Sequence, residues 1–538
     1  MAAIITSEFR KNTRRLFTEE LNVATNYFVG LGKTDSWPST TDNLGNEIQE
    51  YSRSFSAPLP SDTIVDKLDV LKNLMVLVRT KGENIFTIIP RNDWVYNRTY
   101  KTYDPMDPRC FDYESDEEGN ALYPCYVTSN DKIYICLSNT DSEGRVSESV
   151  VPIPSGANSK YLSYHTPAKI NNGDDYIWAY VTSLDEDSAF YTDQFVNYLY
   201  PDLSTQAQTI KNNTGGMVYG FKVVNGGGSS ITEASTLSLK LIGTTRDGNG
   251  NLIPKLETNA GVEDDILIYG NGDESNLATA FDVEFGPNGI ERIIYKEPST
   301  AGNPPNWKMG FESASVLAKV NGIVNTDINI IPFVLPYEGL GAYPDNDLPS
   351  YYAGVAVDFI GDIDTEAPTG YNLDVRQISL VKDPARNPLI GTPEFPDNDD
   401  DNEANGLYES EAAYDCLKYI QLPATTLEKE YIGRDFIIEQ ESTGARAWLD
   451  YADNTNEKLY YHQNTSELVN FKRFSAEETG SLKIYNINGF WDERTYQVLS
   501  TSDPEYLPDT GEVIFYENRK PINRNYNQTD EVKLVIQF

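Results

Sequence analysis

Histidine is almost missing from this 538-residue chain: His165 and His462 are the only two, and they lie far apart in sequence. An HExxH zinc site is therefore excluded, and a Ser-His-Asp triad has few ways to form. His165 precedes Thr166-Pro167 in an apparent loop and His462 follows Tyr460-Tyr461 in a strand-like run, so each reads as a polar tip with its hydrogen bond satisfied locally. Cysteine is scarce as well. Cys110, Cys125, Cys136 and Cys416 contain no CxxC pair, which favours reduced thiols over a disulfide frame or a zinc knuckle, with one bridge among the first three left open. No window approaches the ~18 apolar residues of a membrane span. The opening MAAIITSEFRKNTRR lacks the apolar stretch of a signal peptide, so the chain is expected to stay where it is made.

Several chemical motifs are missing too. GxxxxGK[ST] and GxSxG do not occur, and Gly226-Gly227-Gly228 reads as a turn because no convincing helix follows it. Asp247, Asn249 and Asn251 alternate as in the start of a calcium loop, but Leu252 stands where the turn glycine is needed and Thr258 where a bidentate glutamate would complete the shell. A hairpin turn is the better reading. With 82 acidic residues, paired carboxylates carry no glycosidase signal. The expectation is no catalytic residues, no cofactor and no metal site.

Basic residues are few: 43 Lys and Arg against those 82 acids leave a formal charge of -39. Such a surface repels phosphate backbones and anionic headgroups, so neither nucleic acid nor membrane is an expected partner. The charge serves at least to keep an abundant protein soluble before it assembles.

What the chain does have is aromatic surface, 12% of residues with 36 Tyr, enough to bury several cores. Gly (37) and Pro (29) punctuate short runs of Val, Ile, Tyr and Phe, the pattern of many strands and turns. The class is mainly β, and the length suggests about three or four units.

Along the chain, Thr6 or Ser7 caps a first helix with Phe9, Leu16 and Phe17 toward one face, and a strand follows over 26–32. After Pro58 and Pro60, a second helix capped by Ser61 or Asp62 is predicted. Its apolar residues Ile64, Val65, Leu68, Leu71, Leu74, Met75 and Val78 recur at three- and four-residue steps, and Gly82 closes it. Ile85 to Ile89 reads as a buried strand leading into Pro90-Arg91-Asn92-Asp93-Trp94. The runs 123–137 and 176–183 read as paired strands. Residues 205–350 read as an inserted all-β domain. The acidic run 397–403 reads as an exposed loop at a boundary. Pieces at 435–439, 445–450 and 459–461 can close a small barrel or sandwich, and 531–538 alternates as a strand with one buried face.

The segment from Gly511 through Val513-Ile514-Phe515-Tyr516-Glu517-Asn518-Arg519-Lys520-Pro521-Ile522, followed by Asn527 to Glu531 and the last strand, resembles the C-terminus of the gene product eight family of baseplate wedge subunits of T-even-type contractile-tailed phages. The same resemblance is carried, in order, by Ser7-Glu8-Phe9-Arg10, Phe28-Val29-Gly30, Ser36-Trp37-Pro38-Ser39 and Ile89 to Trp94. Gly173 to Tyr180 and Arg376 to Val381 complete it. It covers roughly 1–204, 351–390 and 506–538. The stretches 205–350 and 391–505 look like two insertions; Ile330-Ile331-Pro332 with Gly339-Leu340-Gly341, and Ser442 to Ala447 with Phe474 to Glu477, are similar to small modules of other phage structural proteins.

The resemblance implies a layered β-sandwich core with helix-bearing loops plus two inserted small all-β domains. It also implies a homodimer that contacts other wedge subunits, a place in the virion tail baseplate after synthesis in the host cytoplasm, and no enzymatic activity. Arg91, Asp93, Trp94 and Arg519 are the candidate interface residues, since Arg and Trp are favoured as interface anchors. Trp37, Trp94 and Trp178 are each more readily accommodated as core. The alternatives are a receptor- or carbohydrate-binding tail protein, suggested by Tyr-rich β insertions, and a polysaccharide-degrading enzyme, which lacks a catalytic constellation.

Overall fold

A computed structural model of the chain describes residues 5–538 apart from 24–25, 42–43, 81, 106, 117–118, 140–147, 154–175, 202–207, 209, 213–214, 255–256, 260–261, 265, 271–280, 296–309, 360–373, 389–412, 425, 428–434, 477–481, 488–494 and 524–529. Among these residues strands dominate, almost all paired antiparallel. The chain divides into two compact units, one of Met1–Arg15, Thr87–Ala353 and Ile536–Phe538, the other of Leu16–Phe86 and Gly354–Val535. His165 and the acidic run 397–403 lie outside the described residues.

In the first unit, Tyr126–Ser129, Lys132–Ser138 and Ile177–Ser183 form the expected antiparallel sheet. Its faces feed a core of Ile133, Ile135, Val181, Val196, Tyr198 and Met217. A second core lies in the 218–334 region, where Leu237–Arg246 runs between Ser313–Val320 and Ile266–Gly270. Leu237, Leu239 and Leu241 alternate inward from that strand against Ile231, Ile290 and Phe311, the period-two burial that a half-buried strand requires. Asp247 to Asn251 is the hairpin loop joining Leu237–Arg246 to Leu252–Pro254.

The second unit is built on a five-stranded sheet whose central strand, Tyr27–Gly32, is buried throughout. It pairs with Leu74–Arg79 on one side and Asp374–Lys382 on the other. Two glycines allow close approach: a Cβ at Gly32 would sit 2.3 Å from the Asn73 carbonyl oxygen, and one at Gly30 would sit 2.6 Å from the Leu74 side chain. Glu512–Asn523 pairs with Asp374–Lys382. The later segment, expected to close into a small barrel or sandwich, forms a six-stranded sheet that includes Phe436–Gln440, Ala445–Asp453 and Lys458–His462, packed on Ile420, Ile438, Leu459, Leu482 and Ile484; among the described residues its two end strands, Leu482–Asn486 and Ser500–Ser502, are not paired with each other.

Two helical expectations are corrected. Helix α1 (Ser7–Val23) is present, with the Thr6 hydroxyl accepting the Phe9 N–H at 3.2 Å. Its buried positions, however, are Lys11, Arg14, Thr18 and Leu21, while Phe9 and Leu16 are 61% and 62% exposed. The stripe 11-14-18-21 lies on the opposite side of a 3.6-residue helix from 9 and 16, and buried ion pairing holds it there.

Helix α2 spans only Ile64–Lys72, capped by Thr63, whose hydroxyl takes the Asp66 N–H. Asn73 ends it, and Leu74–Arg79 is a strand, so the predicted helix to residue 82 is wrong in its second half. Leu-Met-Val-Leu-Val is apolar on every side. Such a run has no preferred period, and its burial on both faces of a central sheet decides for strand. Gly82 opens a single 3-10 turn, Gly82–Asn84, instead of closing the helix.

This assignment reverses what a single long helix would require of two leucines, since such a helix would carry Leu68 on its apolar stripe and Leu77, nine residues further on, on the opposite side. Leu77→Ala, at a fully buried position, should lower the unfolding free energy by about 2–5 kcal/mol. Leu68→Ala should change it by no more than about 0.5 kcal/mol. Urea titration of the two variants checks both values, and equal losses would contradict the helix-to-strand change at Asn73.

Candidate docking surfaces and buried charge clusters

The structure brings three of the four candidate interface residues onto one turn of the first unit. The Arg91 Nε donates to both Asp93 carboxylate oxygens at 3.0 Å, and its Nη1 donates to the Thr192 carbonyl at 3.2 Å. Its guanidinium lies 5.2 Å from the centre of the Tyr191 ring. Asp93 also accepts the Thr128 hydroxyl at 2.6 Å, while Trp94 donates its indole N–H to Ser149 at 3.0 Å and packs beside Tyr100, Val127 and Trp178. These side chains clamp the turn from inside. What the turn presents outward is Asp93, Val95 and Tyr96, the tyrosine 62% exposed.

Arg519 lies in the second unit, half-exposed, with Nη2 3.0 Å from Glu517. Its carbonyl accepts the Trp37 indole N–H at 2.8 Å. A shallow groove beside it is lined by Ala57 and Glu517 to Ile522. Trp178 is buried as core, whereas Trp37 is half-buried under the Lys33 ammonium, 4.6 Å from its ring centre.

The second unit also contains a buried charge cluster. His462 is 4% exposed, and its Nδ1 lies 2.9 Å from both oxygens of Asp450. Its Nε2 lies 3.4 Å from Asp35, which is ion-paired to Lys33 at 2.8 Å. Burial alone would lower the His462 pKa, but the flanking Asp450 and Asp35 carboxylates overcome it and raise the value to about 9, so the imidazolium is the resident form at neutral pH. Burial works to raise Asp35 in the same way, and Lys33 and His462 outweigh it, holding the carboxyl below its usual range.

The cluster continues through amides and hydroxyls. Asn464 donates to Asp35 at 3.1 Å and to Asn73 at 2.8 Å, accepts the Trp448 indole N–H at 3.2 Å, and the Thr34 hydroxyl donates to Asp450. Next to it, the fully buried Arg376 grips Glu50 through Nε at 2.9 Å and Nη2 at 2.6 Å, and contacts Asp374 at 3.3 Å. Tyr51 donates to the same Asp374 at 2.5 Å.

A third cluster, in the first unit, explains the polar face of α1. Arg14 is 2% exposed and donates to Asp345 at 2.6 Å, to Thr87 at 2.7 Å and to the Ser350 carbonyl at 3.2 Å. Tyr198 and Tyr200 each donate to the other Asp345 oxygen at 2.7 Å. Burial pushes neighbouring Asp347 up to about 7 despite the Gly341 N–H it accepts at 2.6 Å, and burial pulls Lys11 down.

These clusters are closed. Every charge in them is directed at a partner inside its own unit, and among the described residues no group of His, Cys, Asp or Glu is arranged to hold a metal. Asp247 uses one oxygen on the N–H groups of Asn249 (2.9 Å) and Asn251 (2.8 Å), which makes its loop a turn. None of the four cysteines is in a disulfide. Sequence reasoning found neither the role of His462, whose second partner comes from the N-terminal segment, nor the clamp on Arg376. A usable signal for the latter was present: an arginine in the strand-like run Asp374 to Val381 demands a carboxylate once that strand is buried inside the sheet.

No family model matches the chain. Over 214 residues it is 22% identical to the baseplate wedge protein gp8 of Enterobacteria phage T4, a match covering 37% of this chain and 61% of that protein. The chain resembles a baseplate wedge protein. The likeness agrees with the residues that pointed there, and the wedge protein it matches is spanned for less than two thirds of its length.

The His462 cluster sets a pH dependence whose sign is defined. The folded-state pKa of about 9 exceeds that of the unfolded residue, so the stabilisation is complete below about pH 6.5 and is lost as pH rises through 9. The stability difference between wild type and His462→Gln, measured by urea titration from pH 6 to 10, should shrink as pH rises. A constant difference would rule out a charged imidazolium. Arg376→Met, which leaves Glu50 and Asp374 buried without their cation, should cost about 3–5 kcal/mol.

Proposed function

We propose that the chain is a structural subunit of a phage tail baseplate wedge, acting by shape and contact, with no catalytic step of its own. The observation that carries this is its similarity to the T4 wedge protein gp8. In this reading it sits in the virion tail, pairs with a second copy of itself and contacts other wedge subunits, without nucleic acid, membrane or cofactor. Residues 205–350 and 391–505 are insertions into the wedge framework, and Arg91, Asp93, Trp94 and Arg519 border the surfaces through which the framework meets its neighbours.

The buried clusters support a mechanical role. Arg14, Arg376 and His462 each tie segments distant in sequence, so each unit resists internal rearrangement, and movement is concentrated at its surfaces. A subunit of this kind helps to transmit the baseplate rearrangement that triggers sheath contraction by repacking its interfaces.

A second reading, a carbohydrate-binding tail protein, is favoured by one cleft in the first unit, lined by Tyr337, Tyr343, Asn346 and the Arg246–Glu312 pair. Sedimentation of the purified chain should give twice the monomer mass, and mixing with the other wedge subunits of the same particle should give a larger complex. A monomer that joins no wedge subunit yet binds host-surface glycans would reverse the order of the two readings.

A further inference from the structure

Helix α2 leaves the apolar residues of its first turns uncovered and buries only those near its end. Ile64, Val65 and Leu68 are 79%, 66% and 36% exposed, whereas Val70 and Leu71 make its buried contacts. Beyond Leu68 the ridge continues through the Lys72 stem to Phe471, 56% exposed, whose ring centre lies 5.5 Å from the Lys72 ammonium. The loop bearing Phe471 is fixed to the same helix, since the Thr465 hydroxyl donates to Asp69 at 2.5 Å. Single exposed apolar residues are ordinary, but four along one line are a patch.

The outer end of α2 is also held rigid. The Thr63 hydroxyl takes the Asp66 N–H at 3.1 Å and itself donates to the Asp66 carboxylate, as does Ser61. Capping of this kind satisfies the free N–H groups of a helix start that buries little within its own chain, and so holds the exposed first turn in one conformation.

Charge selects the partner. Asp62 and Asp66 stand on or beside the start of the helix, Glu512 lies close to Lys67, and Glu467 is carried by the loop that Thr465 fixes to the helix, while the helix's own two lysines are already engaged, Lys67 with Asp62 at 2.6 Å and Lys72 with Asp509 at 3.1 Å. A second copy would bring the same acids face to face, and an anionic lipid surface would be repelled likewise. We infer that α2 is a docking ridge for a different protein, one that offers an apolar groove bordered by Lys and Arg. Ile64, Val65 and Leu68 fill the groove as helix-borne anchors, and the acidic border pairs with its rim. Within the wedge reading, on which this rests, the partner is another wedge subunit and not the homodimer mate.

The full-length chain, its Val65→Asp/Leu68→Asp variant and a Glu467→Lys/Glu512→Lys variant are titrated against each purified wedge subunit of the same particle by calorimetry, at about 50 and about 300 mM salt. The expected result is one subunit whose affinity falls about 30-fold or more with the ridge variant, with thermal midpoint and self-association unchanged. The border variant should weaken the same complex and flatten its salt dependence. Undiminished binding by the ridge variant, or loss of self-association in it, would overturn the docking ridge and leave the wedge reading standing. Failure of the wild-type chain to bind any wedge subunit would remove both.

Discussion

An imidazolium caught between two carboxylates organises the second unit. His462 brings the strand Lys458–His462, Asp450 brings its neighbour Ala445–Asp453, and Asp35 brings the segment that leaves the central strand Tyr27–Gly32. Such a triad is costly to bury and is tolerable only when every member is satisfied. Lys33, Thr34 and Asn464 supply what remains. Greasy contact alone would hold the six-stranded sheet near the framework without specifying its angle; directional ionic bonds specify it. The same logic recurs at Arg376 with Glu50, and at Arg14 with Asp345 in the first unit.

Much of the local structure was legible wherever one period governed one segment. Leu237, Leu239 and Leu241 alternate, as do Val532 and Leu534, and both runs are strands with one buried face. The sheet of 126–138 and 177–183 was legible for the same reason. Legibility failed at Leu74–Arg79, where an unbroken apolar run fits helix and strand equally and only pairing with Tyr27–Gly32 chooses. It failed again on α1, where the hydrophobic residues that periodicity sends inward are outside, and a lysine and an arginine are within.

The candidate site was legible in a more limited sense. Arg91, Asp93 and Trp94 do share a turn, because the four polar and aromatic residues Arg91 to Trp94 after Pro90 do not continue the buried strand. Their mutual bonding was not legible, since Thr128, Ser149 and Thr192 come from elsewhere in the chain. The identity of His462's partners was hidden for the same reason: sequence proximity records local bonds, while a buried ion pair is a record of the tertiary fold.

Asn73 is the only residue between α2 and the strand Leu74–Arg79, and its carbonyl is bonded to the Lys33 N–H while its side chain accepts from Asn464. There is no slack at this joint. A pull or twist applied to the helix reaches the middle of the central sheet at once, and reaches the His462 triad through Asn464, with no compliant linker to absorb it. The helix is thus seated one residue from a buried strand of the unit's main sheet.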